Sequence, residues 1–281
     1  MKVLVTGVKG QLGFDIVNLL EEQGVACKGV DIDDFDLTDE NAVRTYVENY
    51  QPDTIVHCAA YTAVDRAEDD KELARKVNYD GTLYLAKVAK DLDAKFVYFS
   101  TDYVFPGTGD HPYEVDDQTG PTNQYGITKL MGEQAVKENL TKYFICRISW
   151  VFGENGNNFI KTMLRLAKTH DTITVVNDQI GSPTYCKDVA KLVCDMIRTE
   201  KYGTYHVTNE GLCSWYDFAV EIFKQAGVAV QVLPTDSAHY PTKAVRPQNS
   251  RLSKKSLTEN GFSLLPTWQD ALSRFLKNIA E

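Results

Sequence analysis

The strongest constraint on this chain is a glycine turn set between its first strand and its first helix. The apolar, β-branched run over residues 2–6 leads straight into Gly7-Val8-Lys9-Gly10-Gln11-Leu12-Gly13. An amphipathic stretch over about 11–23 follows and stops at Gly24. A strand that turns through three glycines into a helix lets backbone N–H groups approach an anion. The helix N-terminus then favours the charge of a pyrophosphate.

The alternation continues at short spacing, which requires a parallel sheet with helices on both faces. Strand two is expected over 25–31, and a helix over about 39–49 with Thr38 or Asp39 as its cap. Residues 55–60 read as strand three, 71–92 as a long helix, and 96–99 as strand four, ending at Ser100-Thr101-Asp102. The Gly-, Pro- and Asp-rich segment 102–123 is long enough to be functional rather than a connector. A helix to about 139 and a strand over 143–148 complete this half. Beyond residue 150 the alternation loosens, with helical patterns near 157–169, 187–199, 214–226 and 267–279. The expected fold class is α/β, a Rossmann-type doubly wound parallel sheet with a smaller C-terminal substrate-binding region. Residues 1–150 would form the dinucleotide-binding domain. Residues 151–281 would mainly bind substrate, with the chain free to cross back to the sheet.

Bulk properties narrow the function. At 281 residues with 43% apolar content the chain can bury a large core, and no apolar run approaches a membrane span. A net charge of −9, from 30 basic and 39 acidic residues, excludes general nucleic-acid binding, which needs a basic footprint. Met1-Lys2 leads directly into the first strand, so no signal peptide and a cytoplasmic location are expected. The six cysteines (Cys27, Cys58, Cys146, Cys186, Cys194, Cys213) show neither CxxC nor zinc spacing, so unpaired thiols are expected.

At the cofactor end, Gly7, Gly10, Gln11, Leu12 and Gly13 would cradle the phosphates. Asp31 lies 18 residues beyond Gly13 at the close of strand two, where an acid can accept from ribose hydroxyls. A carboxylate there repels a 2′-phosphate, which favours NADH, with NADPH allowed. The glycine spacing resembles the extended short-chain dehydrogenase/reductase superfamily, and that resemblance implies that Asp36-Leu37 would lie against the adenine, as the equivalent pair does there. Ala60, Tyr61 and Thr62 after strand three, and Phe99 in strand four, fall where the chain passes the cofactor.

At the chemical end stands Tyr125-Gly126-Ile127-Thr128-Lys129, a phenol and an ammonium four residues apart on one helical face. A free phenol titrates near pH ~10, too high for easy proton exchange. Lys129, with the positive ring of an oxidised nicotinamide, would lower that value. Thr101 supplies a hydroxyl to hold the reacting oxygen against the phenol.

The Gly-x-x-Gly-x-x-Gly spacing is typical of the extended branch of the short-chain dehydrogenase/reductase superfamily. Across the whole chain the sequence resembles the dTDP-4-dehydrorhamnose reductase family. The first half carries this in Gly10–Gly13, Ala59–Glu68, Ser100–Phe105, Tyr125–Lys129 and Gly132-Glu133. The second half carries it in Ser149–Val151, Gly156–Phe159, Asn177–Gln179, Gly181–Thr184 and Arg246–Leu252. The resemblance implies Tyr125 as proton donor, with Lys129 as its tuner and a ribose ligand, and Thr101 and Asp102 at the sugar ring. It implies Trp150 packing against the sugar, and Asn158 with Arg246, Asn249 and Arg251 holding a nucleotide diphosphate. The implied partner is a dTDP-sugar, and the implied assembly a monomer or homodimer. Some members hold Mg²⁺ between glutamates at a dimer interface. Here Asp15 and Lys187 stand at such positions, so the cage is incomplete and no metal is expected.

Three other readings compete. Dehydratases of this superfamily need an Asp-Glu pair after the strand-four threonine, and this chain has Asp102-Tyr103. Epimerases share the cofactor turn and the Tyr/Lys pair. The regulatory subunit of methionine adenosyltransferase resembles the same family without acting as a reductase. The intact Thr101, Tyr125 and Lys129 set favours an enzyme.

Overall fold

The computed structural model describes residues 1–280. In chain order, β1 (Lys2–Thr6), α1 (Gln11–Glu22), β2 (Ala26–Val30), α2 (Glu40–Tyr50) and β3 (Thr54–His57) open the fold. Next come α3 (Val64–Ala67), α4 (Lys71–Arg75), a π-helical turn (Lys76–Asp80), α5 (Gly81–Asp91), β4 (Lys95–Thr101), α6 (Gln124–Asn139) and β5 (Tyr143–Ile148). The second half contains β6 (Val151–Phe152), α7 (Phe159–Leu166), β7 (Thr172–Val176), β8 (Ile180–Gly181), β9 (Thr184–Tyr185) and α8 (Cys186–Met196). It ends with β10 (Gly203–His206), β11 (Cys213–Ser214), α9 (Trp215–Ala226), β12 (Gln231–Thr235), α10 (Lys255–Glu259) and α11 (Trp268–Ala280).

Six strands form one parallel sheet in the order β10-β5-β4-β3-β1-β2. The order reverses between β1 and β3, and in doubly wound sheets the crevice beyond the strand ends at such a point takes the ligand. Alternate strand residues face opposite layers. Val3, Val5, Val97 and Phe99 pack with Ile16 and Leu20 of α1 and Val189 and Val193 of α8. Leu4, Ile55, Phe96, Tyr98 and Ile145 pack with Val43, Val47, Leu85 and Val136 of α2, α5 and α6. Burial on both faces explains why these strands read as continuous apolar runs. A separate aromatic core, with Phe152, Tyr185, Phe218, Trp268 and Phe275, holds α7, α9 and α11 together.

The expected α/β class and doubly wound sheet are what the chain adopts. Residues beyond 150 do return to the sheet: β10 pairs with β5, and α8 covers α1. Several boundaries differ. Strand three stops at His57 rather than residue 60, because the chain must bend over the glycine turn; Ala59 N donates instead to the Thr6 hydroxyl at 3.2 Å. The helix expected over 71–92 contains the π turn, which aims Asn78 inward. Strand four runs to Thr101, and Asp39 alone caps α2, through Asn41 N and Ala42 N. The helix near 157–169 is shorter, starting at the Asn158 cap. All six cysteines are free thiols.

Candidate active site

The glycine turn closes against the sheet. Gly7 has φ +73°, and a Cβ built on it would lie 2.5 Å from Ala59 N. A Cβ on Gly13 would lie 2.5 Å from the Gly7 carbonyl oxygen. Gly7 is therefore required by close approach and by conformation, Gly13 by close approach alone. The N-cap of α1 is Gly10, which offers no side-chain cap, so the first N–H groups of the helix stay available to an anion. This cradle fits a dinucleotide pyrophosphate. Asp31 Oδ2 accepts from Lys9 N at 2.9 Å and Oδ1 from Ile32 N at 2.9 Å, fixing the carboxylate at the end of β2. Asp36 accepts from Thr38 N and the Thr38 hydroxyl, which hold it below the usual carboxylate range, and Leu37 packs on Gly81.

Beyond β3, Tyr61 N donates to Asn78 Oδ1 at 2.8 Å, and Asn78 Nδ2 donates to Tyr61 O and the Thr128 hydroxyl. The Tyr61 phenol turns outward to Asp70, Thr62 is exposed, and Ala60 stays half-buried. Phe99 is buried in the sheet core.

Thr101 at the carboxyl end of β4 meets the Tyr125 hydroxyl at the start of α6, and Lys129 follows one turn further along that helix. Thr101 closes the strand and Asn123 caps the helix, accepting from Gly126 N at 2.9 Å. The Thr101 hydroxyl donates to Asp102 Oδ1 at 2.9 Å, and Asp102 Oδ2 accepts from the Ser250 hydroxyl. Burial pushes the Asp102 carboxyl up to about 6. The lowered phenol expected from Lys129 is not what this arrangement gives. Burial raises Tyr125, the Asp102 carboxylate adds to the rise, and the Thr101 hydroxyl opposes it. Burial brings Lys129 down to about 7, against the opposing pull of Glu133. Tyr103 stands edge-on to Tyr125, with ring centroids 5.6 Å apart.

The residues expected at the sugar and diphosphate divide into two places. Trp150 has φ +51°, stacks on Trp215 at 3.8 Å between centroids, and lies over Gly181. Arg246 pairs with Asp65 at 2.7 Å and donates to the Tyr103 hydroxyl at 3.3 Å. Asn249 donates to the carbonyls of Thr108 and His111 and accepts from Arg251 Nη1 at 2.9 Å. Asn158 lies instead beside the glycine turn. Its Nδ2 donates to Gln11 Oε1 at 3.1 Å and to Gly153 O at 2.9 Å. Asn155 Nδ2 donates to the carbonyls of Lys9 and Gly10, so the 153–158 loop latches onto the phosphate cradle.

Sequence reasoning missed Asn78, Asn155, Trp215 and Ser250 as site-building residues. For Asn155 the signal was the Gly-Asn-rich loop. The others look like ordinary helix or loop positions.

Comparison with known proteins decides the family. A family model described as the RmlD substrate binding domain matches residues 1–281. The chain belongs to that family. Among relatives, the dTDP-4-dehydrorhamnose reductase of Salmonella typhimurium is 40% identical, covering 98% of this chain and 97% of its own. A spore coat polysaccharide biosynthesis protein of Bacillus subtilis is 39% identical over 98% and 97%. Among solved structures, a dTDP-4-dehydrorhamnose reductase from Bacillus anthracis in complex with NADP superposes with TM-score 0.96 at 43% identity, covering 99% and 100% of the two chains. The Clostridium acetobutylicum reductase gives TM-score 0.98 at 41%, over the full length of both. A Thermus thermophilus UDP-glucose 4-epimerase, 20% identical with TM-score 0.85, shares the fold.

Asp15 is buried on α1, and Lys187 pairs with Glu154 at 3.1 Å beside it. Among the described residues no three His, Cys, Asp or Glu side chains gather as a metal site, and no helix is long and apolar enough to cross a membrane.

Proposed function

We propose that this chain reduces the 4-keto group of a dTDP-4-keto-6-deoxy sugar, converting dTDP-4-dehydro-L-rhamnose to dTDP-L-rhamnose. The supporting observation is the Tyr125 hydroxyl against Thr101, with Lys129 one turn on along α6, in a chain that matches named reductases end to end. A nicotinamide dinucleotide bound at the cradle, NADH or NADPH, supplies the hydride. Thr101 holds the ketone oxygen by its hydroxyl, Tyr125 gives that oxygen its proton, and the Lys129 ammonium balances the phenolate that remains. Asp102 contacts the sugar ring, and Trp150 covers it. Arg246 and Arg251 offer planar cationic forks suited to a diphosphate, on a segment fixed by Asn249. Asn158 orders the loop over the cradle. The enzyme works in the cytoplasm as a monomer or homodimer.

The test is stereochemical. The pure protein is incubated with dTDP-6-deoxy-L-lyxo-4-hexulose and NADH, then NADPH, and the product is identified by NMR. Cofactor oxidation with dTDP-L-rhamnose as product is expected. The other C4 epimer would keep the mechanism and change the product. No turnover with either cofactor, while both still bind, would reject the reading.

A further inference from the structure

Lys129 sits 3% exposed, and among the described residues no oxygen accepts a hydrogen bond from its ammonium. The ammonium instead lies over the face of Tyr98, with Nζ 4.1 Å from the ring centroid. Tyr98 comes from β4, three residues before Thr101, and is fully buried. Its hydroxyl donates to the main-chain carbonyl of the same Lys129 at 3.1 Å. One aromatic residue therefore touches both ends of the lysine. The fit also explains Gly132, one helical turn along. A Cβ built there would lie 2.1 Å from the Tyr98 hydroxyl oxygen, so the helix gives up a side chain to admit the phenol. Nearby His57 cannot serve as an alternative counter-group. It is held by the Thr6 and Thr82 hydroxyls, and burial together with the Lys129 charge keeps it neutral.

We propose that Tyr98 is a positioning residue for Lys129, its ring face stabilising the ammonium. The inference rests on the reading of Lys129 as the partner of Tyr125. A cation over an aromatic face gains from the ring quadrupole, most when both are desolvated. Besides Tyr125, one turn back on α6, the titratable groups coupled to the ammonium are Glu133 on α6, His57 at the end of β3 and Cys58 just after it, and none of them replaces the ring. Removing the negative face of the ring, at constant shape, should make the lysine lose its proton at lower pH.

The experiment is a graded series at position 98: Tyr98→Phe, then Tyr98 replaced by tetrafluoro- and pentafluorophenylalanine. Two readouts are taken on each folded variant, the pH profile of kcat/KM and the titration of the ¹⁵N-labelled Lys129 side chain by NMR. Tyr98→Phe keeps the ring and should move both by little. The fluorinated rings should shift the Lys129 titration and the alkaline limb down together, by about half to one pH unit at the pentafluoro end. Coincident profiles for Phe and pentafluorophenylalanine would overturn the proposal and leave Tyr98 as core packing. A shifted titration with an unmoved rate profile would uphold the contact and reject the catalytic reading of Lys129. Lys129→Ala, assayed alongside, checks that reading separately.

Discussion

Tyr125 has to carry a proton before reduction and survive without it afterwards, and different neighbours serve the two states. Burial and Asp102 keep the phenol protonated, while Lys129, one turn further along the same helix, is the cation proposed to balance the phenolate. Because burial brings Lys129 down to about 7, the free enzyme begins to lose that cation near neutrality. The kcat/KM for reduction, which reports free-enzyme groups, is expected to fall on the alkaline side of about pH 7. A profile flat to pH ~9 would exclude Lys129 as the titrating group. Tyr125→Phe removes the proton donor and should lower kcat by about 10²–10⁴-fold, with NADH affinity by fluorescence titration little changed. The pair was legible in the sequence because four residues on a helix place two side chains on one face. The direction of the phenol's shift was not, because it depends on Asp102 being sealed under Ser250, some 148 residues later. Tyr98 was equally hidden, since an inward tyrosine in a β-strand reads as packing.

At the level of elements, α6 is the part on which the chemistry depends, and it is tied to the sheet by an ion pair. Glu133 lies one turn past Lys129 and receives both Nε and Nη2 of Arg147 from β5, each at 2.8 Å, with both side chains buried. Burial alone would raise Glu133, but the guanidinium holds it below the usual range. Its contribution to stability is therefore full at neutral pH and lost as acid protonates it below its ordinary value. Arg147→Met should cost about 3–5 kcal/mol in urea unfolding, because it strands a buried carboxylate. An unfolding midpoint within error of the parent would show the pair to be dispensable. The glycine at 132 was visible as an anomaly in a helix interior, where it costs about 1 kcal/mol against alanine. Its reason lay across the layer, in Tyr98, and no local pattern carries it. Likewise the π turn after α4 follows no periodicity signal; the bonds of Asn78 to Tyr61 and Thr128 explain it after the fact.

Across the whole molecule the first half was readable from its rhythm, because short connections and doubly buried strands leave few alternatives. The second half was not, because its order comes from long-range joins such as Lys95 Nζ to the carbonyls of Ile197 and Thr199, and Asn155 to the glycine turn. One of these joins leaves a cost. Asp15 on α1 is buried under α8, its Oδ2 has no hydrogen-bond partner among the described residues, and burial, with Glu154 nearby, raises it to about 7. The folded chain thus holds this proton more tightly than the unfolded chain, and stability drains away as pH rises from about 4 to about 7. Asp15→Asn should raise stability at pH 8 by an amount on the order of 2–4 kcal/mol, seen as a higher calorimetric Tm, and change it little near pH 4. An equal effect at both pH values would reject the titration argument. The pairing of β10 with β5 has a consequence for anyone who divides the gene. A polypeptide stopped after residue 150 would keep its catalytic tyrosine yet leave the β10-facing edge of β5, the strand carrying Phe144 and Cys146, with unpaired N–H and C=O groups. Such a fragment should come out of the cell as sediment, stacking edge to edge on its own copies.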